Sequence, residues 1–198
     1  MDSASWDERY GAEELVWSEG PNQFVAEVAG GLPPGRAVDL ACGEGRNAIW
    51  LARQGWSVTG VDFSQVGLDK ARRLAERAGV QVQWVHADLG AWEASEPQDL
   101  VVLSYLQLPA AAMADVVARG ARALAAGGRL LLVGHARRNL AEGSGGPQDP
   151  ARLYEPDDVV AWCAGLDVER AEHVLRQVGS DEEPRQAIDT LVVARKPA

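Results

Sequence analysis

The chain has 198 residues, 46% of them hydrophobic and 24% charged, with a formal net charge of −10. That length and balance suit a soluble globular fold with a real core. The acidity leaves no basic footprint for DNA, RNA or an anionic membrane surface.

Two cysteines, Cys42 and Cys163, make neither a disulfide framework nor a zinc site, so no metal is expected. The stretch from Met1 to Glu8 is acidic and lacks the apolar centre of a secretory signal. No apolar run approaches the roughly 20 residues of a membrane helix. The expectation is a cytoplasmic protein with no membrane or nucleic-acid partner.

Residues 1–20 mix acids with Trp6, Tyr10 and Trp17. Gly20-Pro21 opens a short helix whose Phe24 and Val28 share a face, and Gly30-Gly31 ends it. After the turn Leu32-Pro33-Pro34-Gly35, a first strand over about 37–40 runs into Val38-Asp39-Leu40-Ala41-Cys42-Gly43-Glu44-Gly45. The glycines permit a sharp turn and close approach of the backbone to a ligand. The helix leaving through Arg46-Asn47-Ala48 begins with free N–H groups. A second strand over 57–61 ends in Asp62-Phe63, and Ser64 is placed to cap the next helix. That helix carries Leu68, Ala71, Leu74, Ala75 and Ala78 at helical spacing and stops at Gly79.

A third strand over 81–85 ends at His86-Ala87-Asp88-Leu89, and a fourth over 100–103 leads to Ser104-Tyr105-Leu106. Pro109 starts a helix with Met113, Val116, Val117 and Leu124 on its buried stripe, closed by Gly127-Gly128. A fifth strand over 129–133 ends at Gly134-His135. Residues 136–153, with Gly143, Gly145, Gly146, Pro147 and Pro150, read as a mobile loop. A helix over 157–163 follows. Two strand-like runs, about 167–178 and 187–195, flank a polar turn and read as a terminal antiparallel hairpin.

Strands alternating with helices mean a doubly wound α/β fold with a mostly parallel sheet. Ligands of such sheets bind beyond the carboxyl ends of the strands, near the switch point. Asp39, Asp62, Asp88 and Ser104 stand at or near the ends of the first four strands. Gly43-x-Gly45-x-x-Ala48 also fits the dinucleotide fingerprint, which alone is weak. A carboxylate at Asp62 would accept the diol of either ribose. Two features separate the cofactors. Asp39 at the loop entrance would repel a pyrophosphate and suits an ammonium, as in the amino acid end of S-adenosylmethionine. Asp88 would accept the adenine amino group while the Leu89 backbone reads a ring nitrogen. The closing hairpin is the second feature, since common dehydrogenase halves lack it.

On these residues, with Val61-Asp62-Phe63-Ser64, Ala87-Asp88-Leu89 and Gly127-Gly128-Arg129-Leu130, the chain resembles the class I S-adenosylmethionine-dependent methyltransferases over about 36–195. The resemblance implies a seven-stranded sheet whose last strand is antiparallel. It implies one methyltransferase domain over 1–198, with 36–198 as the catalytic core and 1–35 covering the cofactor. Trp6-Asp7-x-x-Tyr10, Trp17, Pro21-Asn22 and Gly45-Arg46-Asn47-Ala48 look like the thiopurine and tellurite-resistance methyltransferases. That implies a small acceptor with a sulfur, selenium, tellurium or oxygen nucleophile. Cofactor contacts carry over to Trp17, Asp39, Ala41, Cys42, Gly43, Arg46, Asn47, Asp62, Phe63, Asp88, Leu89 and Ser104. The chain departs from the family at Ala41, where the loop usually has its first glycine. The expected partner is a small molecule, with the chain a monomer or homodimer.

Methyl transfer is an in-line displacement in which the enzyme chiefly positions reactants and excludes water. A soft nucleophile needs little base assistance, whereas a hydroxyl needs a general base. His135, after the fifth strand, and Tyr105, after the fourth, are the candidate catalytic residues at the acceptor. His86 and His173 read as structural, and Arg137-Arg138 as a solvated loop. The Asn/Asp-Pro-Pro-aromatic signature of amino-group methyltransferases is absent, the chain reading Ser104-Tyr105-Leu106-Gln107. The alternatives are a nicotinamide-dependent oxidoreductase and a non-catalytic cofactor-binding protein on the same fold.

Overall fold

Apolar residues two apart along each strand share one face of the sheet, and their neighbours in sequence take the other. The computed structural model describes residues 3–11, 15, 20–179 and 183–198. Its strands are β1 (Arg36–Leu40), β2 (Ser57–Asp62), β3 (Gln83–His86), β4 (Gln98–Ser104), β5 (Leu124–His135), β6 (Asp167–Gly179) and β7 (Pro184–Arg195). Its helices are α1 (Ser3–Tyr10), α2 (Gln23–Gly30), α3 (Arg46–Arg53), α4 (Gln65–Ala78), α5 (Ala110–Ala123), α6 (Asn139–Glu142) and α7 (Pro156–Trp162). The sheet order is β3-β2-β1-β4-β5-β7-β6. The first five strands are parallel, and β7 runs antiparallel between β5 and β6. This is the doubly wound sheet with a terminal antiparallel hairpin expected from the sequence. No helix among the described residues is long and apolar enough to cross a membrane.

The period of two is visible in the packing. Val38, Leu40, Val101, Leu103, Leu130, Leu132, Val192 and Ala194 face one core with Met113, Val116 and Val117 of α5 and Val159 of α7. Ala37, Leu100, Val102, Leu131, Val133, Leu191 and Val193 face the other, with Phe24 and Val25 of α2 and Ala48 and Leu51 of α3. The middle strands are therefore apolar on both faces, as a covered sheet requires. A polar residue at the end of such a strand has its surroundings fixed by two packed layers.

The structure departs most from the sequence reading at two places. The helix expected to close at Gly127-Gly128 ends at Ala123, and β5 begins at once with Leu124. The register to β4 jumps between Gln98↔Leu124 and Leu100↔Arg129, so the glycines form an irregularity within the strand pair. Residues 136–153, expected to be a mobile loop, hold α6 and a 3-10 turn at Pro150–Arg152. Buried Asn139 pins this stretch: its Oδ1 accepts from Ile188 N at 2.7 Å, and its Nδ2 donates to Gly145 O at 2.9 Å.

The start of α2 has a cap that the Gly20-Pro21 reading missed. The Asn22 side chain accepts from the N–H groups of Phe24 and Val25, while its own N–H donates to Asn47 Oδ1 at 2.9 Å. Losing such a cap costs about 1 kcal/mol. Asn22→Ala should therefore lower the thermal midpoint by roughly 2–4 °C for a chain of this size, read by calorimetric melting. Asn22→Asp should recover most of the loss.

Candidate functional site

The chain winds from β1 outward to β3 and then returns to β4 on the other side of β1. That reversal opens a crevice at the carboxyl ends of β1 and β4. The loop after β1 and the residues after β4 are its two lips.

Asp39, only 1% exposed, stands at the first lip, and its Oδ2 has no hydrogen-bond partner among the described residues. Burial pushes its acid up to about 7, against the lowering charge of Arg46 and a hydrogen bond from the Ala48 backbone. The loop then makes three left-handed turns, at Ala41 (φ 60°), Gly43 (φ 53°) and Gly45 (φ 78°). Alanine pays a steric penalty there that glycine does not. Ala41 and Tyr105 (φ 56°) are the non-glycine residues with positive φ among the described residues. They sit on the two lips, so backbone strain is concentrated at the crevice.

Asp62 closes the loop from the side. Its Oδ2 accepts from Gly43 N and its Oδ1 from Ser64 N, both at 2.8 Å. Burial raises its acid, opposed by these two bonds. A carboxylate has about four acceptor positions, so two remain for a diol. Tyr10 lies over the loop: a Cβ on Gly43 would sit 2.5 Å from its hydroxyl. Trp6 stacks on Tyr10 with centroids 5.3 Å apart, and Ser64 Oγ donates to Asp7 Oδ1 at 2.5 Å. Helix α1 thus lies across the loop. Trp17 lies outside the described residues.

The other expected contacts are distributed along the same edge. Ser104 Oγ is buried at the end of β4 without a hydrogen-bond partner among the described residues. Phe63 is half-buried, and its carbonyl lies 2.8 Å from His86 Nε2. Asp88 is exposed beyond β3 and accepts from Gly90 N at 2.7 Å, while Leu89 is buried. Asn47 is turned toward Asn22, which uses its carbonyl oxygen. Cys42 is buried and its thiol pushed well up by that burial, so it is held as an inert thiol.

Beside the loop lies a polar pocket of about 410 Å³, lined by Asn22, Arg46, Tyr105, His135, Gly146 and Arg176 among others. His135 is held between the Tyr105 ring, 5.1 Å away and tilted by 59°, and Gly146, where a Cβ would lie 2.9 Å from the imidazole. Its register partner across β5 and β7 is Asp189, which is 0% exposed. Asp189 Oδ2 accepts from Tyr105 Oη at 2.6 Å and from Arg176 Nε at 2.8 Å. Arg176 Nε also donates to the Tyr105 oxygen at 2.7 Å. Burial alone would raise the Asp189 acid, but the adjoining His135 imidazole and the bonds from Arg176 and Tyr105 outweigh it and hold the acid below its usual range. Burial and then the Asp189 charge push the Tyr105 phenol well up. Tyr105 is therefore a protonated donor and wall.

The sequence reading named His135 and Tyr105 and missed Asp189 and Arg176. The signal for Asp189 was present: it is an acid inside the apolar run Ala187-Ile188-Asp189-Thr190-Leu191-Val192-Val193. Arg137 bonds Asp158 and the Leu153 carbonyl, and Arg138 bonds Glu142, so both belong to local ion pairs. His173 faces Glu155 Oε2 at 2.6 Å on the outer strand.

Residues 37–128 match the family described as methyltransferase domain. The matched residues run from β1 to the glycines of β5, a little under half of the chain. Among sequence relatives, ubiquinone biosynthesis O-methyltransferase of Klebsiella pneumoniae is 34% identical over 85 residues, 43% of this chain and 35% of that protein. The chain thus matches about a third of that relative's length. Among solved structures, the N-methyltransferase NodS of Bradyrhizobium japonicum WM9, in complex with S-adenosyl-l-homocysteine, superposes with a TM-score of 0.76 at 15% identity. That match covers 99% of this chain and 98% of NodS. TehB of Haemophilus influenzae gives 0.72 at 16% identity, over 98% of this chain and 66% of TehB.

Proposed function

We propose that this protein transfers the methyl group of S-adenosylmethionine to a small-molecule acceptor with an oxygen, sulfur, selenium or tellurium nucleophile. The observation that carries the proposal is the buried, partnerless oxygen of Asp39 beside a left-handed loop. A buried acid with an unmet oxygen is costly unless a hydrogen-bonding cation joins it, and the methionine ammonium is such a cation. In this reading Asp39 and the backbone from Ala41 to Arg46 hold the amino acid end. Asp62 takes the ribose hydroxyls, Phe63 and Leu89 flank the adenine, and Asp88 accepts its amino group. Ser104 Oγ supplies a further polar contact, Asn47 braces the loop, and residues 1–35, with Trp17, cover the cofactor over the 36–198 core. The bound cofactor supplies an electrophilic methyl group on a sulfonium. The chain's own part is to fix the acceptor in line and keep water out. The polar pocket against Tyr105 and His135 is the acceptor's place.

Isothermal calorimetry tests this directly. The chain should bind S-adenosylmethionine and S-adenosylhomocysteine, with no thermal shift from NADH. Absence of binding by either sulfur compound would sink the proposal.

Asp39 adds a pH signature. Its acid in the ligand-free fold titrates at about 7, above the ordinary 3.8. The folded chain therefore holds an extra proton between those values, and its stability falls as pH rises across that window. An ammonium at Asp39 favours the carboxylate. Binding at pH 6 should then release close to one proton, and affinity should rise as pH approaches 7. Calorimetry in two buffers of different ionisation enthalpy measures the release, and Asp39→Asn should abolish it.

A further inference from the structure

Resting on that reading, we propose that His135 and Asp189 form a proton-accepting dyad, which makes the acceptor a hydroxyl compound of the phenol or enol type.

Nδ1 of His135 and Oδ1 of Asp189 face each other at 3.3 Å. Both atoms are shut from solvent, neither has a hydrogen-bond partner among the described residues, and their approach falls short of a well-formed bond. Such looseness is common where a catalytic pair tightens only with its ligands bound. A carboxylate opposite Nδ1 selects the tautomer with its proton on Nδ1 and leaves Nε2 as the base. The side chain of His135 keeps 13% of its exposure. With Nδ1 sealed, that exposure falls on the rest of the ring, and His135 lines the pocket.

The other bonds of Asp189 keep it ready for this task. Tyr105 and Arg176 both donate to Oδ2, so Oδ1 is left for the imidazole. Arg176 balances the buried charge, which neutralisation by a proton would otherwise remove. Both bonds of Arg176 use Nε, and a guanidinium has four further N–H donors. Asp189 is a positioning residue, because it acts through His135.

The acceptor class follows from what needs such a base. A thiol or selenol ionises readily near neutral pH and attacks as its anion. A phenol ionises near 10 and gains from a built acceptor of its proton. In the step proposed, the acceptor's O–H bond breaks, its electron pair stays on oxygen and its proton passes to Nε2 of His135. The oxygen bonds to the methyl carbon of S-adenosylmethionine while the C–S electron pair stays with sulfur, giving the methyl ether and S-adenosylhomocysteine. The imidazolium, stabilised by Asp189, then returns the proton to water.

The network dictates the outcome of an isosteric change. In Asp189→Asn, the oxygen must occupy the Oδ2 place, where Tyr105 and Arg176 donate. The amide nitrogen then takes the Oδ1 place and donates to Nδ1, forcing the proton onto Nε2. The full chain, labelled with 15N-histidine, contains three histidines, and His135→Gln identifies the resonances of His135. At alkaline pH, long-range 15N–1H spectra should place the proton on Nδ1 in the wild type and on Nε2 in Asp189→Asn. A wild-type proton on Nε2 overturns the dyad, as does an unchanged tautomer in a folded Asp189→Asn that binds S-adenosylhomocysteine. If that variant does not fold, the wild-type tautomer decides alone.

A second arm reads the acceptor class with catechol and hydrosulfide as probes. General-base removal costs about 10²–10⁴-fold, so His135→Gln should lose at least 30-fold more rate on catechol than on hydrosulfide. Equal losses, or catechol turnover no faster in the wild type than in His135→Gln, overturn the hydroxyl class. A wild type that binds no S-adenosylmethionine would instead strike the underlying proposal.

Discussion

Asp62→Ala should weaken S-adenosylmethionine binding by at least about 10²-fold. Two ribose hydroxyls donating to one carboxylate contribute roughly 1.5–3 kcal/mol each, or about 10²–10⁴ in affinity. The same carboxylate oxygens hold the N–H groups of Gly43 and Ser64. Removing them leaves two buried donors unmatched and loosens the loop, at about 1–3 kcal/mol each in stability. Calorimetric titration and melting of the cofactor-free variant separate the two effects. Asp62→Asn keeps one oxygen acceptor and should fall between. Binding of Asp62→Ala within threefold of the wild type would remove Asp62 from the cofactor site.

Lys70→Met should be the most destabilising of the simple substitutions. Lys70 Nζ lies 2.8 Å from Glu44 Oε1, and the residues are 8% and 3% exposed. Taking away one partner of a buried pair costs about 3–5 kcal/mol, because the other charge stays buried without it. A total stability of roughly 5–15 kcal/mol leaves little margin for that. Denaturant unfolding should show the midpoint falling with the slope unchanged. Since Glu44 stands between Gly43 and Gly45, the same change should raise the Kd for S-adenosylmethionine. Glu44→Gln combined with Lys70→Met should recover most of the stability. A single variant as stable as the wild type would mean that the pair is already solvated.

The order of elements was legible because each strand and helix carries a local signal. Ser64 accepts from Gly67 N, and Gly79 ends α4 in the left-handed conformation, as the sequence pattern requires. The hairpin was visible from two apolar runs around a polar turn. The helix stop at Gly127-Gly128 was misread because glycine pairs serve equally in helix ends and strand irregularities. Only the pairing of β5 with β4 decides between them. The loop over 136–153 looked mobile from its glycines and prolines. It is tied down by contacts distant in sequence, among them Asn139, bonded to a strand 49 residues away, and Ala136 N, which donates to the Ile188 carbonyl.

The sequence by itself determined the glycine loop and the acids at the strand ends. Glycines at forced left-handed turns, acids at strand ends and the period of two are properties of neighbouring residues, and local chemistry is enough to read them. Asp39, Asp62 and Asp88 are placed at or near strand ends in that way, without any long-range contact. Only the tertiary structure decided the pairing of His135 with Asp189. His135 meets Asp189 because β7 inserts antiparallel between β5 and β6 in one register. A slip of one residue would turn Asp189 to the opposite face of the sheet. That register is set by the packing of Leu191, Val192 and Val193 against two cores, a sum of many long-range contacts that no short stretch of sequence contains.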